Sequence, residues 1–246
     1  MTTAQIDSHC HLQDPRFAGR VPEVLARARA AGVGHLVCCG TREADWDRVL
    51  ELARDHACVL PMLGLHPWYV QEAAPGWLGR LEARLQAERA GLGECGLDFA
   101  DGRPGRALQE AAFLAQLRLA IDLDRPLAIH CVRAWGRLLA LLGSTGIPAA
   151  GAMVHAYSGS GEVAAELQKL GLHLSFGARR NPRALAAAAA DRILFETDAP
   201  SGGDRNSEPA DLPAVAQAAA RERGGEPRLA VLAGRNAQRF FGSLMS

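Results

Sequence analysis

Short apolar runs alternate with amphipathic stretches along the whole chain. The strand-like runs fall near Gln5–His9, His35–Cys39, Val59–Leu65, Ala90–Glu94, Leu127–Cys131, Ala152–His155, Gly171–Phe176 and Arg192–Thr197. An uninterrupted apolar run of this kind reads as a strand buried on both faces of a parallel sheet. Between the runs, helical periodicity covers Val21–Ala31, Glu43–His56, Gly76–Ala90, Leu108–Leu123, Trp135–Leu142, Glu162–Leu170, Pro182–Ala190 and Pro209–Arg223. Eight strand–helix repeats predict a closed (β/α)₈ TIM barrel of class α/β rather than an open doubly wound sheet. A short helix near Asn236–Phe241 is expected to close the chain. The length of 246 residues suits one such barrel. No composition break marks a second domain, so residues 1–246 are expected to form one unit.

The polar residues that end these runs carry the chemistry. The first run closes on Asp7-Ser8-His9-Cys10-His11. His9 and His11 are two apart, so on a strand they face the same way and can reach one cation. Glu94 ends the fourth run between Gly93 and the Cys95-Gly96 pair, where a carboxylate could bridge two metals. His130 and His155 end the fifth and sixth. Asp198 ends the eighth, in Glu196-Thr197-Asp198-Ala199-Pro200, placed to bind metal and take a proton from an attacking water. Ligands past several parallel strands gather at one end of the barrel, where such folds build their active sites. Asp98 is expected to give a supporting hydrogen bond rather than a metal bond.

The constellation predicts a binuclear metallohydrolase with two divalent cations (Mg, Mn or Zn), because ligand type alone does not select the ion. Some barrels of this kind bridge their metals with a modified lysine on strand four. Here the only lysine is Lys169, in the helix between strands six and seven, so the bridging role falls to Glu94.

With these residues in place, the chain resembles the TatD family of metal-dependent deoxyribonucleases, within the amidohydrolase-like barrels. The resemblance runs over essentially the whole length. It rests on Asp7–His11, Gly64-Leu65-His66-Pro67, Gly93–Asp98, the His130 segment, His155-Ala156-Tyr157-Ser158-Gly159-Ser160, Glu196–Pro200 and Asn236–Phe241. It implies one cation held by His9, His11, Glu94 and Asp198, and a second held by Glu94, His130 and His155. It also implies hydrolysis of phosphodiester bonds in DNA from a 3′ end, with Glu94 and Asp198 as catalytic residues. Nuclease members carry His-Ser-Arg-Asp-Ala after strand five. This chain reads His130-Cys131-Val132-Arg133-Ala134-Trp135, which displaces the arginine by one position and opens a different substrate preference.

Charge narrows the substrate. Twenty-seven basic and 27 acidic residues give zero formal net charge, which argues against wrapping long duplex DNA by bulk electrostatics. Single-stranded or frayed DNA ends, gripped through a few phosphates, are the expected partner. Arg133 and His66 are the candidate substrate contacts, with His66 equally suited to a structural role. Arg205 and Asn206 lie in a loop after Asp198 that could meet a phosphate. Trp68, Tyr69 and Phe99 are expected to pack the pocket wall ahead of stacking on bases. The loops Asp101–Arg106 and Ser201–Ser207 are polar and glycine-rich, as substrate-facing loops are. His35, His56 and His173 read as structural.

Six cysteines without a C-x-x-C pair read as small buried hydrophobes in a reducing cytosol. No apolar stretch approaches membrane-spanning length and no signal peptide is evident, so a cytoplasmic enzyme without membrane contact is expected. Two other readings stay open: an amidohydrolase acting on a small amide, lactone or ester, and a non-catalytic metal-dependent binding protein.

Overall fold

The structure, a computed structural model, describes residues 5–202, 207–226 and 228–245. Eight parallel strands pair in sequence order: β1 (Gln5–Cys10), β2 (Val33–Cys39), β3 (Val59–Leu63), β4 (Gly91–Asp98), β5 (Leu127–Val132), β6 (Ala152–Val154), β7 (His173–Phe176) and β8 (Ile193–Phe195). Backbone hydrogen bonds from His11 N–H to Ala199 O (2.8 Å) and from Asp198 N–H to His9 O (2.9 Å) link the end of β1 to the segment after β8. The (β/α)₈ expectation is met.

The helices are α1 (Val21–Ala30), α2 (Glu43–Asp55), α3 (Trp77–Ala87), α4 (Arg106–Asp122), α5 (Trp135–Thr145), α6 (Gly161–Lys169), α7 (Pro182–Ala187), α8 (Leu212–Glu222), α9 (Leu229–Phe240) and α10 (Gly242–Met245). Among the described residues, no helix is long and apolar enough to cross a membrane.

Two hydrophobic layers follow from strand alternation. Outward-facing Leu36, Leu92, Ile129 and Val154 pack under the helices with Leu50, Phe113, Leu117 and Leu138. Inward-facing Ile6, Val37, Leu60, Met62, Ala128, Met153 and Leu194 fill the barrel, and Phe240, Phe241 and Leu244 join them from the chain's end. The interior is thus a packed core, and a ligand must bind at an end of the barrel.

Most boundaries shift by a few residues from the sequence expectation, among them β8, which stops at Phe195 rather than Thr197, and three further shifts matter here. β3 stops at Leu63, so Gly64, Leu65 and His66 lie in the following loop. β4 runs on to Asp98, because Cys95, Gly96, Leu97 and Asp98 keep pairing with Ile129, His130, Cys131 and Val132 of β5. Glu94 therefore lies inside β4 rather than at its end. The closing helix begins at Leu229, not Asn236, since Leu229 and Ala233 also bury their side chains on one face. Arg205 and Asn206 lie outside the described residues.

Candidate metal centre

β1 delivers His9, with His11 just past its end. β4 delivers Glu94, and β5 delivers His130. His155 follows β6 directly, and Asp198 stands three residues beyond β8. All are at the C-terminal end of the barrel. His9, Glu94 and His155 are buried, and the side chains of His130 and His11 are only 12% and 15% exposed.

Glu94 is the hub. Its Oε2 lies 3.3 Å from His9 Nε2 and 3.5 Å from His11 Nε2. Its Oε1 lies 2.7 Å from His155 Nε2, 3.0 Å from His130 Nδ1 and 3.2 Å from His66 Nε2. Asp198 Oδ1 joins the first set, 3.4 Å from His11 Nε2. The two oxygens of one carboxylate thus face two different groups of imidazoles.

The backbone needed for this is glycine-dependent. Gly93 and Gly96 both have φ of 146°, and a Cβ on Gly96 would come within 2.0 Å of His130 O. Only glycine allows β4 to approach β5 there. The Gly93–Glu94 peptide is cis. Asp198 has φ of 49°, and its carbonyl accepts from Ser201 N–H (2.8 Å) and Gly202 N–H (2.7 Å), which fix the turn.

Supporting contacts set ring orientation. His11 Nδ1 donates to Cys39 O at 2.8 Å, leaving its Nε2 lone pair aimed at the cluster. Buried Glu196 accepts from Ala156 N–H at 2.7 Å and lies 3.5 Å from His155 Nδ1. Asp7 accepts from Thr197 N–H (2.9 Å) and Thr197 Oγ1 (2.5 Å), tying β1 to the segment after β8 that carries Asp198. Two buried glutamines on one face of α4 brace the neighbouring loops. Gln109 exchanges two hydrogen bonds of 2.7 Å with the backbone of Asp98. Gln116 grips Leu65 likewise, at 2.7 and 3.1 Å, and so steadies His66.

Burial opposes charge throughout, and the partners decide the outcome. Glu94 is desolvated, yet His155, His66 and His9 hold its carboxyl well below the usual range. His155 is equally buried, and Glu94 and Glu196 push it well above 6.5. For His11, the hydrogen bond to Asp198 and the charge of Glu94 outweigh burial and raise it to about 9. Asp7 goes the other way, raised by desolvation to about 7.

The donor set fits divalent cations. Ring nitrogens meet at 3.2 Å (His9 Nε2 and His11 Nε2) and at 3.0 Å (His130 Nδ1 and His155 Nε2). Lone pairs converging so closely repel unless a proton or a cation lies between them. Three groups place their ligand atoms within 4.8 Å of one another: His9, His11 and Asp198; His9, Glu94 and His155; His66, Glu94 and His130. Imidazole nitrogens with carboxylate oxygens suit zinc, manganese or related ions.

Every metal ligand proposed from sequence is in this cluster. His66 joins it too, in contact with Glu94, a closer place than a pocket-mouth residue would have. Arg133 does not join it: it stands at the rim with φ of 53°, two-thirds exposed, 3.3 Å from Asp101 Oδ2. Trp68 packs edge-on to His66, with ring centroids 4.9 Å apart, and is 41% exposed. Glu196, Gln109 and Gln116 were missed. Glu196 had a signal, because the apolar run Ile193-Leu194-Phe195 ends on it.

A (β/α)₈ barrel with a histidine–carboxylate cluster at the C-terminal ends of its strands defines a class, the metal-dependent barrel hydrolases. Residues 6–242 match the TatD related DNase family, and the chain belongs to it. It is 35% identical over 242 residues to the 3′-5′ ssDNA/RNA exonuclease TatD of Cronobacter sakazakii, covering 89% of this chain and 90% of the relative. It is 33% identical over 205 residues to the uncharacterized metal-dependent hydrolase YjjV of Escherichia coli, covering 79% of each. The crystal structure of YjjV, described as a TatD homolog, superposes with a TM-score of 0.91 at 28% identity, covering 98% of this chain and 99% of that one. The protein is a metal-dependent hydrolase.

Proposed function

We propose that this hydrolase is an exonuclease that removes nucleotides from the 3′ end of single-stranded DNA with two divalent cations. The observation that carries the reading is Glu94, whose two oxygens each face a separate imidazole set. His9, His11, Glu94 and Asp198 would hold one cation, and Glu94, His130 and His155 the other, with Mg, Mn or Zn as candidates. His66 supports the second set from its contact with Glu94 Oε1.

When bound, the cations supply Lewis-acid activation of the phosphodiester and of the attacking water. The chain's own residues do the rest. Asp198 accepts the water's proton at its carboxylate, which already faces His11. Glu94 keeps the two halves of the site at a fixed separation. The packed barrel below excludes bulk water from that side. Arg133, exposed at the rim, contributes a phosphate contact.

The nucleic-acid reading draws on the Cronobacter relative, which is named for single-stranded DNA and RNA. Zero net charge supports it in one respect: without long-range attraction to polyanions, a local site suits a strand end better than a duplex. A cytosolic setting accords with the six free cysteines.

The test is a panel of 3′-labelled single-stranded DNA, blunt duplex, closed circular duplex, RNA and model esters, run with defined metals across a salt series. Stepwise shortening of the single strand from its 3′ end, with a shallow salt dependence, is expected. Efficient cutting of closed circles would overturn the end-directed reading. Rapid ester turnover without nucleic-acid cleavage would move the enzyme to small-molecule hydrolysis.

A further inference from the structure

Trp68 is a large aromatic held open to solvent beside the metal centre. It is 41% exposed, and its ring centroid lies 4.9 Å from that of His66 and 6.3 Å from that of His130. It is not a loose surface side chain. Its Nε1–H donates to Asp98 Oδ2 at 2.5 Å, and Asp98 is itself buried and braced by Gln109. The ring is therefore fixed in place with part of its surface left open to solvent.

Arg103 completes the feature. Its guanidinium stacks over the Trp68 ring, with Cζ 3.8 Å from the centroid. Its Nε lies 3.3 Å from the same Asp98 Oδ2. Its terminal amino groups make no hydrogen bond among the described residues, and they are the part of an arginine that meets a phosphate as a fork. One carboxylate thus anchors an indole and a guanidinium while also lying 3.5 Å from His130 Nε2. Nearby in the chain, Arg106 lies over the Phe99 ring, 4.8 Å from its centroid, and Arg133 pairs with Asp101 at 3.3 Å.

We propose that Trp68 and Arg103 form a clamp for the nucleotide flanking the scissile bond, the indole stacking on its base and the guanidinium binding its phosphate. The clamp rests on the single-strand nuclease reading above and deepens it. Base-on-indole stacking is tolerant of sequence, as a general exonuclease requires, because every base has a π-face. Arginine stacked on the same ring keeps its charge aimed at the backbone rather than at solvent. The stacked base would lie beside His66 and His130, the imidazoles that contact Glu94 Oε1 at 3.2 and 3.0 Å.

The test uses metal-loaded protein and a thymidine octamer with phosphorothioate linkages at its 3′ end to resist cleavage. Binding should quench tryptophan fluorescence in the wild type, and Trp68→Leu should remove most of the quench. In Trp68→Leu, anisotropy with a labelled octamer should weaken roughly tenfold, the scale of one stacked base. Trp68→Phe, which keeps a stacking face, should lie between the two. An abasic 3′ nucleotide should erase the difference between wild type and Trp68→Leu. Arg103→Ala should weaken binding and lower the salt slope by about 0.7, the value for one phosphate on a single strand. Thermal melting of each variant checks the fold.

If the wild type degrades single strands and both variants bind and cleave as it does, the clamp is wrong and the nuclease reading survives. A weakened Trp68→Leu with an unchanged response to the abasic end also overturns the clamp, since the indole would then be acting on the fold alone. If the wild type neither binds nor cleaves nucleic acid, both readings fall together, and ester turnover by the same sample separates that result from inactive protein.

Discussion

Gly64 and Glu94 touch backbone to backbone at the mouth of the barrel. A Cβ on Gly64 would lie 2.8 Å from Glu94 O and 2.8 Å from Gly93 C. Neither atom belongs to a flexible side chain, so a methyl group there must push the segment just after β3 away from the middle of β4. The Gly64-Leu65-His66-Pro67 motif is thus tied to the hub carboxylate by sterics as well as by the 3.2 Å contact from His66. Gly64→Ala is expected to cost about 1–3 kcal/mol of stability, as overpacking does. Because the displaced atoms carry Glu94, activity should fall by more than the melting shift accounts for. Denaturation and turnover, measured on one preparation, check this; a fully active Gly64→Ala would show that the contact relaxes without moving Glu94.

Glu94→Gln keeps the size of the side chain and loses the charge that faces five imidazoles. Turnover should drop roughly 100-fold or more, and bound metal should fall below two per chain at saturation, since an amide bridges cations poorly. Asp198→Asn should be similarly inactive but retain more metal, because His9, His11 and Glu94 remain. Metal analysis paired with anomalous scattering distinguishes the two. A Glu94→Gln protein with normal metal content would remove the bridging assignment.

The sequence pattern carried the barrel because buried parallel strands are nearly continuous apolar runs, and eight of them leave little topological choice. It carried the ligands because each follows or ends such a run. It did not carry the length of β4, because Gly96 breaks the apolar run while still pairing with His130. Nor could it place Trp68. Its setting depends on Asp98, whose Oδ2 accepts from the indole N–H and also lies 3.3 Å from Arg103 Nε, a pairing across the chain that no local pattern encodes. Gln109 and Gln116 were invisible for a related reason: a glutamine on an amphipathic helix normally faces water, and these two are buried by backbone hydrogen bonds to distant loops.

His173, at the start of β7 and away from the metal centre, gives the fold an acid limb. Burial depresses its imidazole from 6.5 to about 4, with Arg192 and Arg239 adding to the effect and Asp191 opposing it. The unfolded chain therefore takes up a proton below about pH 6.5 that the native state refuses. The stability from this group is complete above that pH, falls as pH drops toward 4 and levels off below. At about 1.4 kcal/mol per pKa unit, the loss is of order 3 kcal/mol. His173→Phe keeps a ring against Phe240, whose centroid is 5.1 Å away, and has nothing to protonate. Denaturant titrations of both proteins without metal, from pH 7 to pH 4, should show the variant losing less stability. Parallel curves would assign the acid limb to other groups.

Glu196 is the residue whose role is most readily mistaken. It is fully buried beside the cluster, and its proximity to Asp198 suggests a ligand. Its geometry is that of a positioning residue. Oε1 accepts from Ala156 N–H, and His155 Nδ1 lies 3.5 Å away, on the side of the ring opposite the Nε2 that faces Glu94. A carboxylate there orients the imidazole and raises its basicity as a ligand. Glu196→Gln keeps an acceptor for Ala156 but offers His155 a neutral partner, so metal affinity should fall about 10–100-fold. Excess metal should then restore most of the activity, which it would not do for Glu94→Gln. A metal titration followed by both binding and turnover separates the cases. Should Glu196→Gln stay inactive at full metal occupancy, Glu196 acts on the reaction itself; should it bind metal like the wild type and turn over normally, His155 is held by its packing against His9, whose ring stacks on it at 4.0 Å.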